Sequence, residues 1–304
     1  MARGTALAAL AALALAAPAR SATLDCERVD LPEVRGALAR LPAPRVILVA
    51  GSLRNVTLES FARFLIAMGY PTARIADPHD GALSRSGYGD AEALAGEVAW
   101  HVEHDGMAPI LIGHSRGGML VMRTLHELAG SFHSAIPVWD PATRTALPRT
   151  TILDPATGTS RPVAGLAVDY AVAIATGKLP RVWQGQWDML PRLRQVPDSA
   201  RRFTGFHIQG DLIAGDVFGI EPYIPVHAAR VRNVVLPASY SHIGAVDLAP
   251  LAADPRTRAW VEAWRPGSAA APPAGATVQN LGLGEEVWYG VKRAWCEAAT
   301  RRAA

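Results

Sequence analysis

Lysine is nearly missing from this chain: all but two of its thirty lysine and arginine side chains are arginine. No basic run with interleaved aromatics occurs and the net charge is only +3, which excludes a nucleic-acid-binding footprint. Charged residues are also sparse at 19%, while half the residues are apolar, so wholesale disorder is excluded and a packed core is expected over 304 residues. No apolar run is long enough to span a bilayer comfortably; the run from Thr5 to Ala17 falls short. No histidine pair with a carboxylate stands at metal-ligand spacing, so no metal is expected. Cysteine is reduced to two residues, Cys26 and Cys296, near opposite ends of the chain.

What is present begins with Arg3, an Ala/Leu run and then small residues, the layout of a secretory signal peptide over residues 1–22. Cleavage between Ala17 and Ala22 leaves a domain over 23–304 with no membrane span, secreted or periplasmic. Thr23-Leu24-Asp25 lacks the small residue that a lipid-attachment site needs before Cys26. In an oxidising compartment an even count of two favours one disulfide, Cys26–Cys296, tying the N-terminal segment to the last helix.

Along the chain, short apolar runs alternate with segments of helical period. Strands are expected at Arg45–Gly51, Ala73–Ala76, Pro109–Gly113, Ala135–Trp139, Phe203–Gln209 and Arg232–Leu236. Helices are expected at Leu58–Met68, Asp90–His104, Gly117–Leu128 and Val246–Trp264. This alternation predicts an α/β fold, a mostly parallel sheet with helices on both faces. Residues 140–202 break the rhythm with seven prolines and with Trp183 and Trp187, and read as an inserted cap or lid. Within it, Asp140-Pro141-Ala142-Thr143 and Asp154-Pro155-Ala156-Thr157 read as two turns of a hairpin pair. Residues 266–276 are a Pro/Ala-rich linker, and a last helix over 285–301 carries Val287, Trp288, Val291 and Trp295 on one face.

The chemistry centres on Gly113-His114-Ser115-Arg116-Gly117. The G-x-S-x-G pattern follows an apolar strand and runs directly into a helix. A turn this sharp needs small neighbours, hence the two glycines, and it lifts the serine hydroxyl above the strand end. It also aims the helix N-terminus at a developing oxyanion. A serine hydroxyl needs a base to become a nucleophile. Of nine histidines, His242 alone follows the last strand and precedes the last core helix; His227 precedes that strand, and His114, inside the motif, is expected to point away from the serine. For the acid that orients the base, three aspartates stand on suitable loops: Asp211, Asp216 and Asp140. Oxyanion donors are expected from the backbone N–H of Arg116 and from that of Ser52 or Leu53, with Gly51 allowing close approach.

These pieces, in the order serine, aspartate, histidine, resemble the α/β-hydrolase superfamily over about residues 45 to 265. One departure is Ala50-Gly51, where many members carry His-Gly. The resemblance implies hydrolysis of carboxylic esters, lipid-like or other apolar acyl esters, through an acyl-enzyme with no cofactor. An acyltransferase or a thioesterase on the same fold, or a non-catalytic secreted binding protein, are the alternative readings.

Overall fold

The computed structural model describes residues 24–177, 187–215 and 219–303. The expected signal peptide, Trp183 and Asp216 lie outside the described residues.

Five strands build a wholly parallel sheet: β1 (Val46–Val49), β2 (Ile110–His114), β7 (Val168–Ile174), β9 (Ala200–Ile208) and β11 (Arg230–Leu236), in the order β1-β2-β7-β9-β11. The register sets Val46 beside Ile110, Leu111 beside Ala171, Ala171 beside Phe203 and Phe203 beside Val231. In β1 alternate residues serve opposite faces: Val46 and Leu48 join one core cluster, Ile47 and Val49 the other. The first face is covered by α1 (Pro32–Leu38), α2 (Glu59–Ala67), α5 (Ala249–Ala253), α6 (Pro255–Ala263) and α7 (Leu281–Ala303), with Phe61, Phe64 and Leu65 fully buried. The second is covered by α3 (Ala91–Asp105) and α4 (Arg116–Leu128) through Val98, Val121 and Leu125. The expected α/β architecture, a parallel sheet between two helical layers, is what the chain forms. On α7, Val287, Trp288, Val291 and Trp295 are all buried in the first core cluster.

Several local expectations are corrected. Ala73–Ala76 is no strand: Thr72–Arg74 forms a single 3-10 turn after Pro71, and Arg45 donates to the carbonyl oxygens of Ala73 and Ala76. Ala135–Trp139 contributes nothing to the central sheet. Pro137 lacks the N–H a ladder needs, and its carbonyl lies so close to α3 that a Cβ on Gly96 would overlap it. Trp139 instead enters β3 (Trp139–Asp140), paired antiparallel with β4 (Thr145–Ala146), and β5 (Thr151–Asp154) pairs with β6 (Thr159–Pro162) in a second hairpin. The stretch 140–202 is therefore not one inserted cap. It holds two hairpins and then β7, the central strand of the sheet, buried at every position. Its alanine-rich sequence, Val-Asp-Tyr-Ala-Val-Ala-Ile, is short and easily hidden among the prolines around it. The single helix expected over 246–264 is two, because Asp254 caps a new helix at Pro255 by accepting the N–H of Arg256. In the stretch 266–276, the carbonyl oxygens of Ala274 and Gly275 accept from Arg256.

Short pairs β8 (Gln195–Val196) and β10 (Ile224–Pro225) flank the β9 and β11 end. Cys26 and Cys296 form a disulfide with Cα atoms 5.5 Å apart, joining the segment before α1 to α7. Among the described residues no helix is long and apolar enough to cross a membrane.

Candidate active site

The C-terminal ends of β2, β9 and β11 bring Ser115, Asp211 and His242 together. Ser115 follows β2 directly and holds φ 52°, ψ −116°, a conformation that L side chains rarely adopt, with its N–H anchored on the carbonyl of Ile174 at the end of β7. Two glycines permit this turn. A Cβ on Gly113 would overlap the carbonyl of Gly117, and one on Gly117 would overlap the carbonyl of Val49. The turn thus presses α4 against the ends of β1 and β2, and only glycine leaves room.

His242 sits in the loop after β11. That loop is pinned by Asn280, whose side-chain amide donates to the carbonyl oxygens of Gly244 at 2.7 Å and Asp247 at 3.0 Å. Ser241 Oγ further accepts the N–H of Gly244 at 2.8 Å. His242 Nδ1 lies 2.6 Å from Asp211 Oδ2, and His242 Nε2 lies 3.0 Å from Ser115 Oγ. The carboxylate contact fixes the tautomer: Nδ1–H donates to Asp211, leaving the Nε2 lone pair for the serine hydroxyl.

Asp211 is held on its other side by its own loop. Its Oδ1 accepts the N–H groups of Ile213 and Ala214, both at 3.0 Å. Burial alone would raise this carboxyl. The hydrogen bond from His242, the Ala214 N–H, the imidazole's charge and the Ile213 N–H together outweigh burial and hold it below the usual carboxylate range. Of the other two acids considered, Asp216 lies outside the described residues, and Asp140 caps its own hairpin turn by accepting from the N–H of Ala142 and Thr143.

The loop after β1 closes over the serine. A Cβ placed on Gly51 would stand 3.1 Å from Ser115 Cβ and 3.6 Å from its Oγ. Among the described residues, the loop N–H groups of Ser52 and Leu53 have no backbone acceptor. Arg116 is the first residue of α4, so its N–H has no acceptor within the helix. These amides are the ones available to a developing negative charge at Ser115.

One functional neighbour escaped the sequence reading. His114, expected to point away from the serine, hydrogen-bonds through Nε2 to the backbone carbonyl of His242 at 2.8 Å, and the two rings lie 5.1 Å apart. It is 2% exposed. Burial first, and His242 beside it, push its pKa down to about 4 against the opposing pull of the carbonyl, so His114 is neutral and Nε2–H is the donor. Its Nδ1 is buried without a partner. The position within G-x-S-x-G was the signal; its partner, 128 residues later in the chain, was not readable.

Leu53, Tyr88, Leu212, Ile213 and Ile243 are exposed on the loops that surround the triad. Among the described residues, no group of three or more histidine, cysteine, aspartate or glutamate side chains could hold a metal ion.

No protein-family model matches the chain, and no curated protein does. The functional reading therefore rests on the geometry of these side chains.

Proposed function

We propose that this protein is a serine hydrolase of carboxylic esters, an α/β-hydrolase in which Ser115 is the nucleophile, His242 the general base and acid, and Asp211 the orienting carboxylate. The observation that carries the proposal is the unbroken chain Ser115 Oγ to His242 Nε2 to Asp211 Oδ2, at 3.0 and 2.6 Å, on a serine held at positive φ between a strand and a helix. The nucleophile, its base and the group orienting the base are within reach without rearrangement.

Ser115 Oγ attacks the ester carbonyl carbon while its proton passes to His242 Nε2. The tetrahedral oxyanion accepts hydrogen bonds from the N–H of Arg116 and from that of Ser52 or Leu53. As the carbonyl re-forms, the bond to the alcohol oxygen breaks and His242 delivers its proton to that oxygen. Water then attacks the acyl-enzyme by the same route, releasing the carboxylic acid and restoring Ser115. Asp211, held as a carboxylate, stabilises the imidazolium formed in each half-reaction. Apolar Leu53 and Tyr88 beside the serine suit an acyl chain. The Cys26–Cys296 disulfide supports an oxidising compartment, periplasmic or extracellular, as the place of action.

The test is Ser115→Ala with short p-nitrophenyl esters. Turnover is expected to fall by about 10⁴-fold or more, and a fluorophosphonate probe should label the wild-type protein at Ser115. Undiminished turnover in the variant would sink the assignment; an unlabelled Ser115 in a folded wild-type protein would favour a non-catalytic binding role.

A further inference from the structure

A cleft of about 560 Å³ lies between the loop after β1 and residues 84–88, with Gly51, Leu53, Arg54, Val56 and Tyr88 in its wall. This is within the size range of small-molecule sites. Gly51 joins the cleft to the nucleophile, since a Cβ there would stand 3.1 Å from Ser115 Cβ. Among the described residues, no carboxylate lines the cleft. Arg85 reaches it, but Arg85 is paired with Asp77 at 2.7 Å and with Glu97 at 2.5 Å. Arg54 is exposed and has no ion pair or hydrogen bond among the described residues.

Arg116 adds a second unmatched cation at the rim. Its guanidinium lies 4.0 Å over the ring of Tyr88, a wall residue, and its Nε donates to the carbonyl of Gly87 at 3.0 Å. These two contacts fix the side chain, yet no carboxylate touches it among the described residues, and its Nη1 is shielded from water without a partner. On the other side of Arg85, the neighbouring cavity is lined by Asp77, Asp80, Asp90 and Glu97. The charge on this wall of the molecule is therefore sorted: acids away from the nucleophile, unpaired arginines toward it.

Topology says which part of an ester meets these arginines. His242 and Asp211 follow β11 and β9, on one side of β2, and the cleft follows β1, on the other. The leaving alcohol must sit at His242 Nε2 to receive its proton, so the arm lying over β1 is the acyl arm. Leu53, Val56 and Tyr88 offer its methylenes an apolar wall.

We propose, on the basis of the serine-hydrolase reading above, that the preferred substrate is an ester whose acyl chain ends in a second carboxylate, received by Arg54 and Arg116. Arg54, exposed and without a partner among the described residues, can offer its planar fork to a carboxylate. On Arg116 Nε is committed to Gly87 and Nη1 is shielded, so Nη2 is the donor it offers, from a side chain that loses little freedom on pairing.

The test compares two p-nitrophenyl esters of glutaric acid, one with its far carboxyl free and one with it methylated, so that leaving group and chain length are shared. The quantity read is the ratio of their kcat/KM values in one preparation, which cancels any loss of folded protein. The wild-type ratio is expected to favour the free carboxylate by about tenfold at low salt and to shrink as salt rises. Arg54→Gln and Arg116→Gln should each lower it by about threefold, chiefly through KM, and the double variant should bring it near one. A wild-type ratio of one or less, or a ratio unchanged in the double variant, overturns the carboxylate assignment. If Ser115→Ala cleaves both esters as fast as wild type, it is the hydrolase reading that has failed, and the two failures are thereby distinguished.

Discussion

The two ends of the parallel sheet differ sharply in how their polar groups are matched. At the N-terminal ends of the strands, charges are closed into networks. Arg202 pairs with Glu297 at 2.6 Å, Arg293 contacts both Glu297 and Glu27, and Asp169 is shared by Arg201 and Arg301. The Cys26–Cys296 disulfide sits within this same cluster. At the C-terminal ends, Ser115 is held in a strained conformation and, among the described residues, Arg54 and Arg116 lack carboxylate partners, His114 Nδ1 is buried unpaired, and five large apolar side chains face solvent. Ion pairs closed in this way tie the last helix to the strand starts, whereas strained or unmatched groups are what a binding end would offer a ligand. Asp211 is the exception that serves the working end: fully committed to His242 and to two backbone N–H groups, it cannot wander.

The largest loss of activity is expected at Asp211. Asp211→Asn should lower kcat by about 10³- to 10⁴-fold near neutral pH, because an amide no longer selects the His242 tautomer that faces Ser115. The fold should survive, since the lost group belongs to the working end; steady-state kinetics beside a thermal melt checks both halves.

At the opposite end the expected effects reverse. Cys26→Ser with Cys296→Ser should destabilise the protein by about 2–4 kcal/mol, since the bridge closes a very long loop in the unfolded chain. Activity per folded molecule should stay close to wild type. Denaturant melts with and without reductant measure the first, and active-site titration the second; a large loss of specific activity would mean that the two ends are coupled.

His114 lies on the border between them. His114→Leu removes the donor to the His242 carbonyl and should lower kcat by about tenfold, while His114→Gln, which keeps an N–H near the same place, should recover most of it. The same residue has a pH signature. Its folded-state pKa of about 4 lies below the ordinary histidine value of 6.5. Its contribution is therefore fully present above pH 6.5 and is lost as pH falls from there toward 4, where the unfolded chain takes up the proton more readily. The wild type should lose stability over that window more steeply than His114→Gln, a difference that urea melts at pH 7 and pH 4.5 would reveal.

The smallest effect is expected on α7. Burial pushes Glu285 up to about 7, with Glu286 beside it adding to the rise against the donor Trp260 Nε1. A raised carboxyl contributes stability that is present below its unfolded value and lost as pH climbs through 7. Glu285→Gln keeps an acceptor for Trp260 and should stabilise the protein by about 1 kcal/mol at pH 8, discounted for partial exposure, with little change at pH 5.

Much of this was readable in one dimension, for reasons that differ from element to element. β1, β2 and the flanking α4 carry dense apolar runs and a turn that only glycine permits, so their type and order follow from local sequence. β7 was hidden by its surroundings: Val168, Tyr170, Val172 and Ile174 are strand formers, but the run is short and lies in a stretch broken by seven prolines, and its burial comes from neighbours on both sides. Ala135–Trp139 failed in the opposite sense, offering β-branched residues but also Pro137, whose missing N–H excludes it from a ladder.

The candidate site divides the same way. Ser115 and the two glycines are legible alone because the steric demands of the turn are local. His242 is legible from its place in the order of strands. Asp211 could not be separated from Asp140 and Asp216 by any local feature, since an aspartate that caps a turn and one that orients a histidine look alike in sequence. The order β1-β2-β7-β9-β11 sets the loop after β9 next to the loop after β11, which puts Asp211 beside His242 and leaves Asp140 on its hairpin. The sharp turn at Ser115, the late histidine and the cysteine pair could be read from sequence, because each rests on short-range sterics or on counting. Only the packing of the sheet sets Asp211 against His242, gives the hydrogen bond from His114 to the His242 carbonyl and shapes the cleft next to Gly51, because each joins groups far apart in the chain.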